Sequence, residues 1–392
     1  MPKIQIFGGG IAGLTAALLL EKQQQDYQLF ERQSHWGGKL QTTLRDGFAL
    51  DHGFQVIQSA YPALSVFHRQ GYLDESRAFG AGAWLLVNGK KTLLADPLQE
   101  FPRGLAALGH PSIKLTDMWQ VIQLRNALLN QTPQSLFSME KNTTMDYLQQ
   151  RGFSSAFIEA FFRPFFTGIF LEETLDTPSA MFRFVFWALA KGKACLLPGG
   201  IQTLPNRIVA DLNPTRLHLS AQQTAVDTNN TVSLHRSTQV HYFSVDTDLG
   251  LGKFIALNAE KHGEINLLAV PSAVQVGYAP KNKHLLCVSM KPGSSNSLKP
   301  AMDSKAVHHA VEQLLGVNID AQWIDSIQVN EALPTDTPYV YQTEKLDLSQ
   351  NETVAGVRFN AFGGLVNPSL NAAILSGEQF VAAVNSRQTT PI

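Results

Sequence analysis

Apolar and polar positions near the start of the chain predict a strand, a helix and a second strand. Residues 3–7 alternate and end in glycines, which is typical of a buried strand. The next segment, from Ile11 to Lys22, is rich in Ala and Leu and contains no Pro, so we expect a helix. Residues 26–31 read Asp-Tyr-Gln-Leu-Phe-Glu and complete a βαβ unit of about 30 residues.

The pattern then changes several times along the chain. Paired strands are expected around a turn at residues 45–47, and the stretch from about 112 to 190 is mostly helical. An amphipathic helix is predicted over residues 199–212, strands from 216 to 290, and helices at 304–315 and 367–384. This order suggests one discontinuous domain with inserted segments.

Composition narrows the class of protein. The chain has 392 residues, of which 44% are apolar and 16% charged, so a globular protein of two or three domains is expected. The net charge of −1 gives no basic footprint, and we expect no nucleic-acid partner. Two cysteines, Cys195 and Cys287, cannot form a disulfide framework, which indicates a reducing compartment.

The chain shows no signal for export or for crossing a membrane. No apolar run approaches the roughly 18–20 residues that span a bilayer. The first strand begins at once and leaves no room for a signal peptide. We therefore expect a cytoplasmic protein, and contact with a membrane surface is left open.

A glycine-rich loop joins the first strand to the first helix. The segment Gly8-Gly9-Gly10-Ile11-Ala12-Gly13 contains the pattern G-x-G-x-x-G in the context that this motif requires. Gly8 permits a tight turn, Gly10 lets a pyrophosphate approach the backbone, and Gly13 lets the helix pack on the sheet. Free amides and the helix dipole then stabilise the phosphate charge.

Two further elements indicate which dinucleotide the loop binds. Glu31 closes the second strand, where a carboxylate accepts hydrogen bonds from ribose hydroxyls and repels a 2′-phosphate. Arg32 follows it, and Gly37-Gly38-Lys39 then adds a second backbone concavity with a cation. A second phosphate-facing element at this position is what an FAD site adds to a nicotinamide site. The alternative is that the same three residues form the entry of an ordinary hairpin with a solvated lysine.

Several motifs together resemble the superfamily of flavin amine oxidases, protoporphyrinogen oxidases and phytoene desaturases. The resemblance spans residues 3 to about 384. It is carried by Gly8 to Gly13, Glu31, Gly37-Gly38-Lys39, Asp51-His52-Gly53-Phe54-Gln55, the segment Pro198-Gly199-Gly200-Ile201-Gln202-Thr203-Leu204, and residues 367–377.

The resemblance implies an α/β protein, α+β overall. A Rossmann-like FAD-binding domain would be built from residues 1–60, 191–235 and 335–392. A discontinuous substrate domain of helices and an antiparallel sheet would be built from residues 61–190 and 236–334.

It also implies roles for single residues. The backbone of Gly10, Ile11, Ala12 and Gly13 would hold the pyrophosphate, and Glu31 the adenosine ribose. Lys39 stands where the family usually has Arg, so it would contact phosphate as a point charge. The backbone of Gly53 and Phe54 would pass near the isoalloxazine ring. At the last helix, Pro368 and Ser369 precede Leu370, whose amide would face the flavin pyrimidine carbonyl.

Two positions depart from the family pattern. The family usually has Gly-Asp before the last block, where this chain has Gly356-Val357. A strand that usually offers Val beside the adenine offers Gln223.

The middle of the chain is unusually aromatic. Seven phenylalanines lie between residues 153 and 170, and the spacing of Phe153, Phe157 and Phe161 places them on one helix face, as in a core. Arg163-Pro164 predicts a helix break. Phe165 and Phe166 would then leave that face and line an apolar substrate pocket, or they also belong to the core.

Catalytic side chains are scarce. His52 is the titratable residue that the motifs place near the flavin, as a candidate base or as a histidine bonded to backbone at a strand end. No metal-binding, dithiol, serine-hydrolase or P-loop motif occurs.

These observations predict an FAD-dependent oxidoreductase. It would transfer a hydride from an apolar small molecule, at a C–C or C–N bond, to flavin N5. The alternative is a flavin-free protein that binds lipids or prenylated proteins, similar to GDP-dissociation inhibitors. The substrate and the electron acceptor are not named by the sequence.

Overall fold

The computed structural model describes residues 4–96, 109–137, 142–221, 235–260, 262–292, 303–334, 353–354, 360–362, 365–366 and 369–388. The helices are α1 (Ile11–Lys22), α2 (Ser65–His68), α3 (Leu115–Leu129), α4 (Pro133–Phe137), α5 (Thr144–Gln150), α6 (Ser155–Phe157), α7 (Arg163–Phe170), α8 (Ser179–Lys191), α9 (Thr203–Ala210), α10 (Pro271–Val274), α11 (Ser304–Leu315) and α12 (Leu370–Gln388). Short 3-10 turns occupy Pro62–Leu64 and Pro214–Arg216, and a π-helical turn occupies Ile158–Phe162.

The strands alternate with these helices. They are β1 (Ile4–Phe7), β2 (Tyr27–Phe30), β3 (Thr42–Arg45), β4 (Phe48–Asp51), β5 (Ile57–Gln58), β6 (Arg77–Ala78), β7 (Gly82–Val87), β8 (Lys90–Ala95), β9 (Ala194–Leu196), β10 (Leu217–His218), β11 (His235–Val245), β12 (Ile255–Asn258), β13 (Ile265–Ala269), β14 (His284–Met290), β15 (Ala321–Pro334), β16 (Thr353–Val354), β17 (Asn360–Phe362) and β18 (Leu365–Val366).

A parallel sheet carries the predicted βαβ unit, which is confirmed. Its strand order is β10-β2-β1-β16, and all three neighbouring pairs run parallel. The first two strands pair in register from Ile4 with Tyr27 to Phe7 with Phe30. Because β10 and β16 lie far along the chain from β1, three distant segments build this one sheet.

One apolar core holds the parallel sheet and its helices together. This core includes Leu14 of α1, Leu29 of β2 and Ile374 of α12. Leu64 and Phe67, from the segment after residue 61, pack in the same core. The domain limits given above stay a prediction, and this packing places residues 63–73 beside the parallel sheet.

A second, larger sheet has the order β15-β11-β14-β13-β12-β7-β8. Five of its six neighbouring pairs are antiparallel, and β12 pairs with β7 in parallel. Tyr242 on one face joins the aromatic core under the middle helices. Phe243, the next residue, joins a smaller core beneath α11. The predicted sheet of the inserted segments is therefore present, with one parallel pair that the sequence did not predict.

The aromatic helix, residues 155–170, corrects one prediction. We expected Arg163-Pro164 to break it, but α6, the π-helical turn and α7 follow one another without interruption. Proline lacks an amide hydrogen, and its ring clashes with the carbonyl one turn back in a regular α-helix. A widened π turn just before Pro164 accommodates both effects, so the helix continues.

Two local predictions hold. The hairpin β3–β4 pairs from Thr42 with Asp51 to Arg45 with Phe48, around the predicted turn. The last predicted helix is present as α12.

Among the described residues, no helix combines the length and the apolar character needed to cross a bilayer.

Candidate functional site

The glycine loop has the backbone geometry that its sequence predicts. Gly8 has a φ of +101°, in the region that favours glycine. A Cβ on Gly13 would overlap the Gly8 carbonyl oxygen, so only glycine lets α1 begin so close to β1. Gly10 differs, because its φ is −73° and a Cβ there would meet only the Gly38 Cα, at 3.9 Å. The protein itself therefore does not need glycine at position 10.

Glu31 is buried against this loop. One carboxylate oxygen accepts a hydrogen bond from the Gly9 amide at 2.6 Å, and the other accepts one from the Gln33 amide at 2.8 Å. The residue is only 7% exposed. Each oxygen of a carboxylate has a second lone pair, so Glu31 is fixed in place and can still accept from ribose hydroxyls.

The two glycine elements lie side by side. The Gly37 amide donates to the Gly9 carbonyl at 2.8 Å, and Gly10 and Gly37 form an isolated parallel bridge. A Cβ on Gly38 would come within 3.0 Å of the Gly10 Cα. Together the glycines of the two elements make one continuous surface of backbone without side chains, which we call the glycine surface (residues 8–10 and 37–38).

The two basic residues beside this surface, Arg32 and Lys39, are exposed. Lys39 Nζ donates to the Ala332 carbonyl at 3.0 Å, at the end of β15. The arginine at position 32 is also exposed. Their predicted contacts with the cofactor stay predictions.

The block at residues 51–55 lies next to Lys39. The Gln55 side-chain amide donates to the Lys39 carbonyl at 2.9 Å and to the His52 carbonyl at 2.8 Å. Gly53 has a φ of +94°, and a Cβ there would lie 3.4 Å from Thr238 on β11. The structure thus brings Gly53 and Phe54 between the second glycine element and the large sheet.

His52 bonds to a side chain and not to the backbone through its ring. Its Nε2 lies 2.9 Å from the Thr43 hydroxyl. Partial burial, followed by the nearby His35, lowers the pKa of His52. The imidazole is therefore neutral at pH 7 and able to accept a proton.

Asp51 has contacts that the sequence did not reveal. Its carboxylate is 4% exposed and accepts hydrogen bonds from Thr42 Oγ1 at 2.6 Å, the Ile201 amide at 2.9 Å and Tyr278 Oη at 2.6 Å. Tyr242 Oη donates to the Asp51 carbonyl at 2.5 Å. Burial raises the pKa of Asp51 to about 6, against the lowering effect of its three donors.

The start of α12 is well defined. Ser369 Oγ accepts from the Ala372 amide at 3.2 Å and so caps the helix that begins at Leu370. A Cβ on Gly377 would lie 2.6 Å from the Ala12 carbonyl, so glycine lets α12 pack closely on α1. The described residues do not include Gln223, Gly356, Val357 and Pro368, whose roles stay predictions.

Phe165 and Phe166 differ in burial. Phe166 is 1% exposed, and its ring centroid lies 4.7 Å from that of Phe182. Phe165 is only partly buried, and its ring centroid lies 5.5 Å from that of Phe161. Phe165 therefore continues the helix face that carries Phe157 and Phe161. Phe54 borders the same apolar cluster. Phe165 is thus the member of the pair with surface left for a ligand.

The glycine surface fits a dinucleotide. Gly10 directly precedes α1, and no side chain caps this helix, so its first-turn amides lie beside the glycine surface and have no side-chain partner of their own. Glu31, at the edge of that surface, supplies the acceptor that a ribose needs. Backbone donors suit a pyrophosphate, and the carboxylate suits the adjoining sugar.

Curated proteins match short stretches of the chain. A 4,4'-diapolycopen-4-al dehydrogenase of Metabacillus indicus is 36% identical over 69 residues, 18% of this chain and 14% of that protein. A 4,4'-diaponeurosporene oxygenase of Staphylococcus haemolyticus is 33% identical over 66 residues, 17% of this chain and 13% of that protein. The matched stretches thus span only a small part of these relatives.

Solved structures match the fold over nearly the whole chain. A putative protoporphyrinogen oxidase from Exiguobacterium sp. 255-15 has a TM-score of 0.69 at 15% identity, covering 98% of this chain and 99% of that one. Putrescine oxidase bound to putrescine has a TM-score of 0.67 at 12% identity, covering 98% and 99%. Reduced UDP-galactopyranose mutase has a TM-score of 0.66 at 15% identity, covering 100% and 97%.

A family model extends the match through more than half of the sequence. The model described as flavin containing amine oxidoreductase matches residues 11–247. This range holds α1, Glu31, the second glycine element and the Pro198-Gly199-Gly200 turn. The chain therefore belongs to the flavin-containing amine oxidoreductase family, and FAD is its cofactor.

Proposed function

We propose that the chain is an FAD-dependent oxidoreductase that takes a hydride from an apolar small molecule. The glycine surface, with Glu31 locked at its edge, is the observation that carries the proposal. When bound, FAD supplies the hydride acceptor, flavin N5. The protein then has to bind the cofactor, orient the substrate and exclude water.

The residues of the chain divide these tasks. Amides of Gly10 to Gly13 bind the pyrophosphate, and Glu31 accepts from the adenosine ribose. Gly53, Phe54 and the start of α12 at Leu370 hold the flavin end. His52, neutral at pH 7 because its pKa is lowered, is placed to accept a proton from a substrate.

The substrate class follows from the aromatic cluster. Phe165 and Phe54 border one apolar core, and both keep part of their surface uncovered. Such a lining favours an extended apolar molecule over a charged one. The names of the two matched curated relatives refer to diapolycopenal and diaponeurosporene, which supports a hydrophobic substrate. We propose a C–C or C–N bond as the position that is oxidised.

The first experiment is a visible spectrum of the purified protein, followed by anaerobic mixing with a panel of apolar polyenes and amines. Flavin absorbance in the purified or FAD-reconstituted protein, bleached by one of these compounds, is the expected result. A Gly10→Ala variant serves as the control, because it should fold and yet bind little FAD. A wild-type protein that binds prenylated ligands but no flavin would contradict the proposal and favour a lipid-binding role.

A further inference from the structure

We propose that Asp51 is a positioning residue, which holds the backbone at residues 51–54 and 198–202 in place around the cofactor. The proposal rests on the proposed function, because it assigns those segments to the flavin site. Its evidence is separate, since it comes from the contacts of one buried carboxylate with segments far apart in sequence.

On one side, Asp51 and Thr42 accept hydrogen bonds from the turn that leads into α9. Asp51 accepts from the Ile201 amide at 2.9 Å, and Thr42 Oγ1 accepts from the Gln202 amide at 3.0 Å. No side chain of the α9 segment itself caps the start of that helix. The hairpin β3–β4 therefore fixes the turn that leads into α9, and Asp51 does so from 150 residues away.

The second glycine of the Pro198-Gly199-Gly200 turn makes room for these contacts. Gly200 has a φ of +105°, and a Cβ there would overlap Thr42 Oγ1 and lie 2.8 Å from Asp51 Oδ1. Gly200 is thus needed for its conformation and also for the space that the carboxylate occupies. The turn and the hairpin thus meet through Asp51 and Thr42 together.

On the other side, Asp51 joins the hairpin to the large sheet. Tyr278 Oη donates to Asp51 Oδ2 at 2.6 Å, and Tyr242 Oη of β11 donates to the Asp51 carbonyl at 2.5 Å. Gly53, two residues further on, lies against Thr238 of the same strand. The path of the backbone from Asp51 to Phe54 is therefore fixed at its start by the sheet that borders the aromatic core.

Three hydrogen-bond donors favour an ionised acceptor at this position, whereas burial opposes ionisation and leaves the pKa of Asp51 at about 6. Three donors converge on the carboxylate, and none of the basic side chains that the structure describes forms an ion pair with it. An amide in its place would turn an N–H toward one of these donors. Protonation would likewise remove one acceptor.

Other titratable groups face Asp51 but stay neutral around pH 6. Burial raises the pKa of Tyr242, of Tyr278 and of Cys287. His52, the next residue, is also titratable, and burial lowers its pKa. A test therefore has to separate Asp51 from His52.

The experiment compares Asp51→Asn with Asp117→Asn. Asp117 is a matched control, because it is 1% exposed and accepts two bonds from Ser154 at 2.7 Å, but it lies on α3 among the middle helices. The FAD dissociation constant is measured from pH 5 to pH 8, and amide hydrogen exchange is followed over residues 198–203. In wild type we expect affinity to fall as the pH drops through about 6.

The two variants should separate clearly. Asp51→Asn should weaken FAD binding about tenfold or more at pH 8, flatten the pH profile and speed exchange at Ile201 and Gln202. Asp117→Asn should lower the melting temperature and leave the FAD constant and its pH profile unchanged. Wild-type affinity, profile and exchange in Asp51→Asn would overturn the proposal.

Two further outcomes stay decisive. If wild type binds no FAD, the proposed function fails, and the exchange rates of the two apo variants still decide the role of Asp51. If Asp51→Asn does not fold, Tyr278→Phe replaces it. That change removes a donor that lowers the pKa of Asp51, so the midpoint of the wild-type profile should move to higher pH. A midpoint that does not move would assign the titration to a group other than Asp51 and refute the proposal.

Discussion

Gly10→Ala tests the glycine surface without disturbing the fold. The backbone at Gly10, with φ −73° and ψ 177°, is open to any residue. The added methyl would meet only the Gly38 Cα, at 3.9 Å, which is ordinary van der Waals contact. The free energy of unfolding of the apo protein should therefore change by less than about 1 kcal/mol, and alanine should even add a few tenths by restricting the unfolded chain.

Binding should respond far more strongly than stability. The methyl would stand on the surface that a pyrophosphate has to approach, so one or two charge-assisted bonds to α1 amides would be lost. At about 1.5–3 kcal/mol for such a bond, FAD should bind roughly 100-fold more weakly. Urea unfolding of the apo protein gives the first quantity, and titration of FAD by flavin fluorescence gives the second.

Gly13→Ala is the matched control. Its methyl would overlap the Gly8 carbonyl oxygen, so this variant should lose several kcal/mol of stability or fail to fold. Unchanged FAD affinity in a folded Gly10→Ala protein would refute the reasoning about the pyrophosphate. A loss of stability in Gly10→Ala equal to that in Gly13→Ala would refute the distinction between the two glycines.

Three other predictions are tested by FAD titration, by urea unfolding and by substrate kinetics. Glu31→Ala should weaken FAD binding about 10- to 150-fold, because a buried charged acceptor is lost; an unchanged dissociation constant would place the ribose elsewhere. Phe166→Ala should cost about 3–5 kcal/mol in urea unfolding, whereas Phe165→Ala should cost less and raise the Michaelis constant for an apolar substrate; equal losses would make both residues core. The pKa of Asp51 is raised in the folded state, so its contribution to stability is present at acid pH and is lost as the pH rises through about 6. Unfolding of the apo wild type should show this loss, of roughly 3 kcal/mol, and Asp51→Asn should not.

Short-range signals in the sequence predicted the nucleotide-binding half of the fold. The alternation before Gly8, the Ala/Leu run after Ile11 and the acidic end of β2 each constrain a few neighbouring residues, and the βαβ unit follows from them. The hairpin turn at Asp46-Gly47 is equally local, because both residues adopt a positive φ. Where the backbone itself sets the structure, the sequence sufficed.

Contacts between distant segments could not be predicted in this way. Asp51 and Tyr278 are 227 residues apart, and no pattern around either residue indicates that they meet. The bond from Lys39 to Ala332 spans 293 residues.

The predicted helix break at Pro164 was wrong for a related reason, because contacts with a distant helix decide the structure there. A proline usually ends a helix, but the rings of Phe162 and Phe166 pack against Phe182 of α8, which favours continuing the helix through a π turn.

The parallel sheet contains strands from both ends of the chain, so it cannot be completed until synthesis is nearly finished. The first strand pairs with β16 about 350 residues later, and α1 packs against α12 from the same late region. A ribosome releases the N-terminal strand long before either partner exists, and closing so long a loop carries an entropy cost. Until α12 has been synthesised, the side of α1 around Ala12 lacks the helix that packs against it at Gly377. The part of the proposed FAD site that α12 would supply therefore forms only after the C-terminal helix has been synthesised.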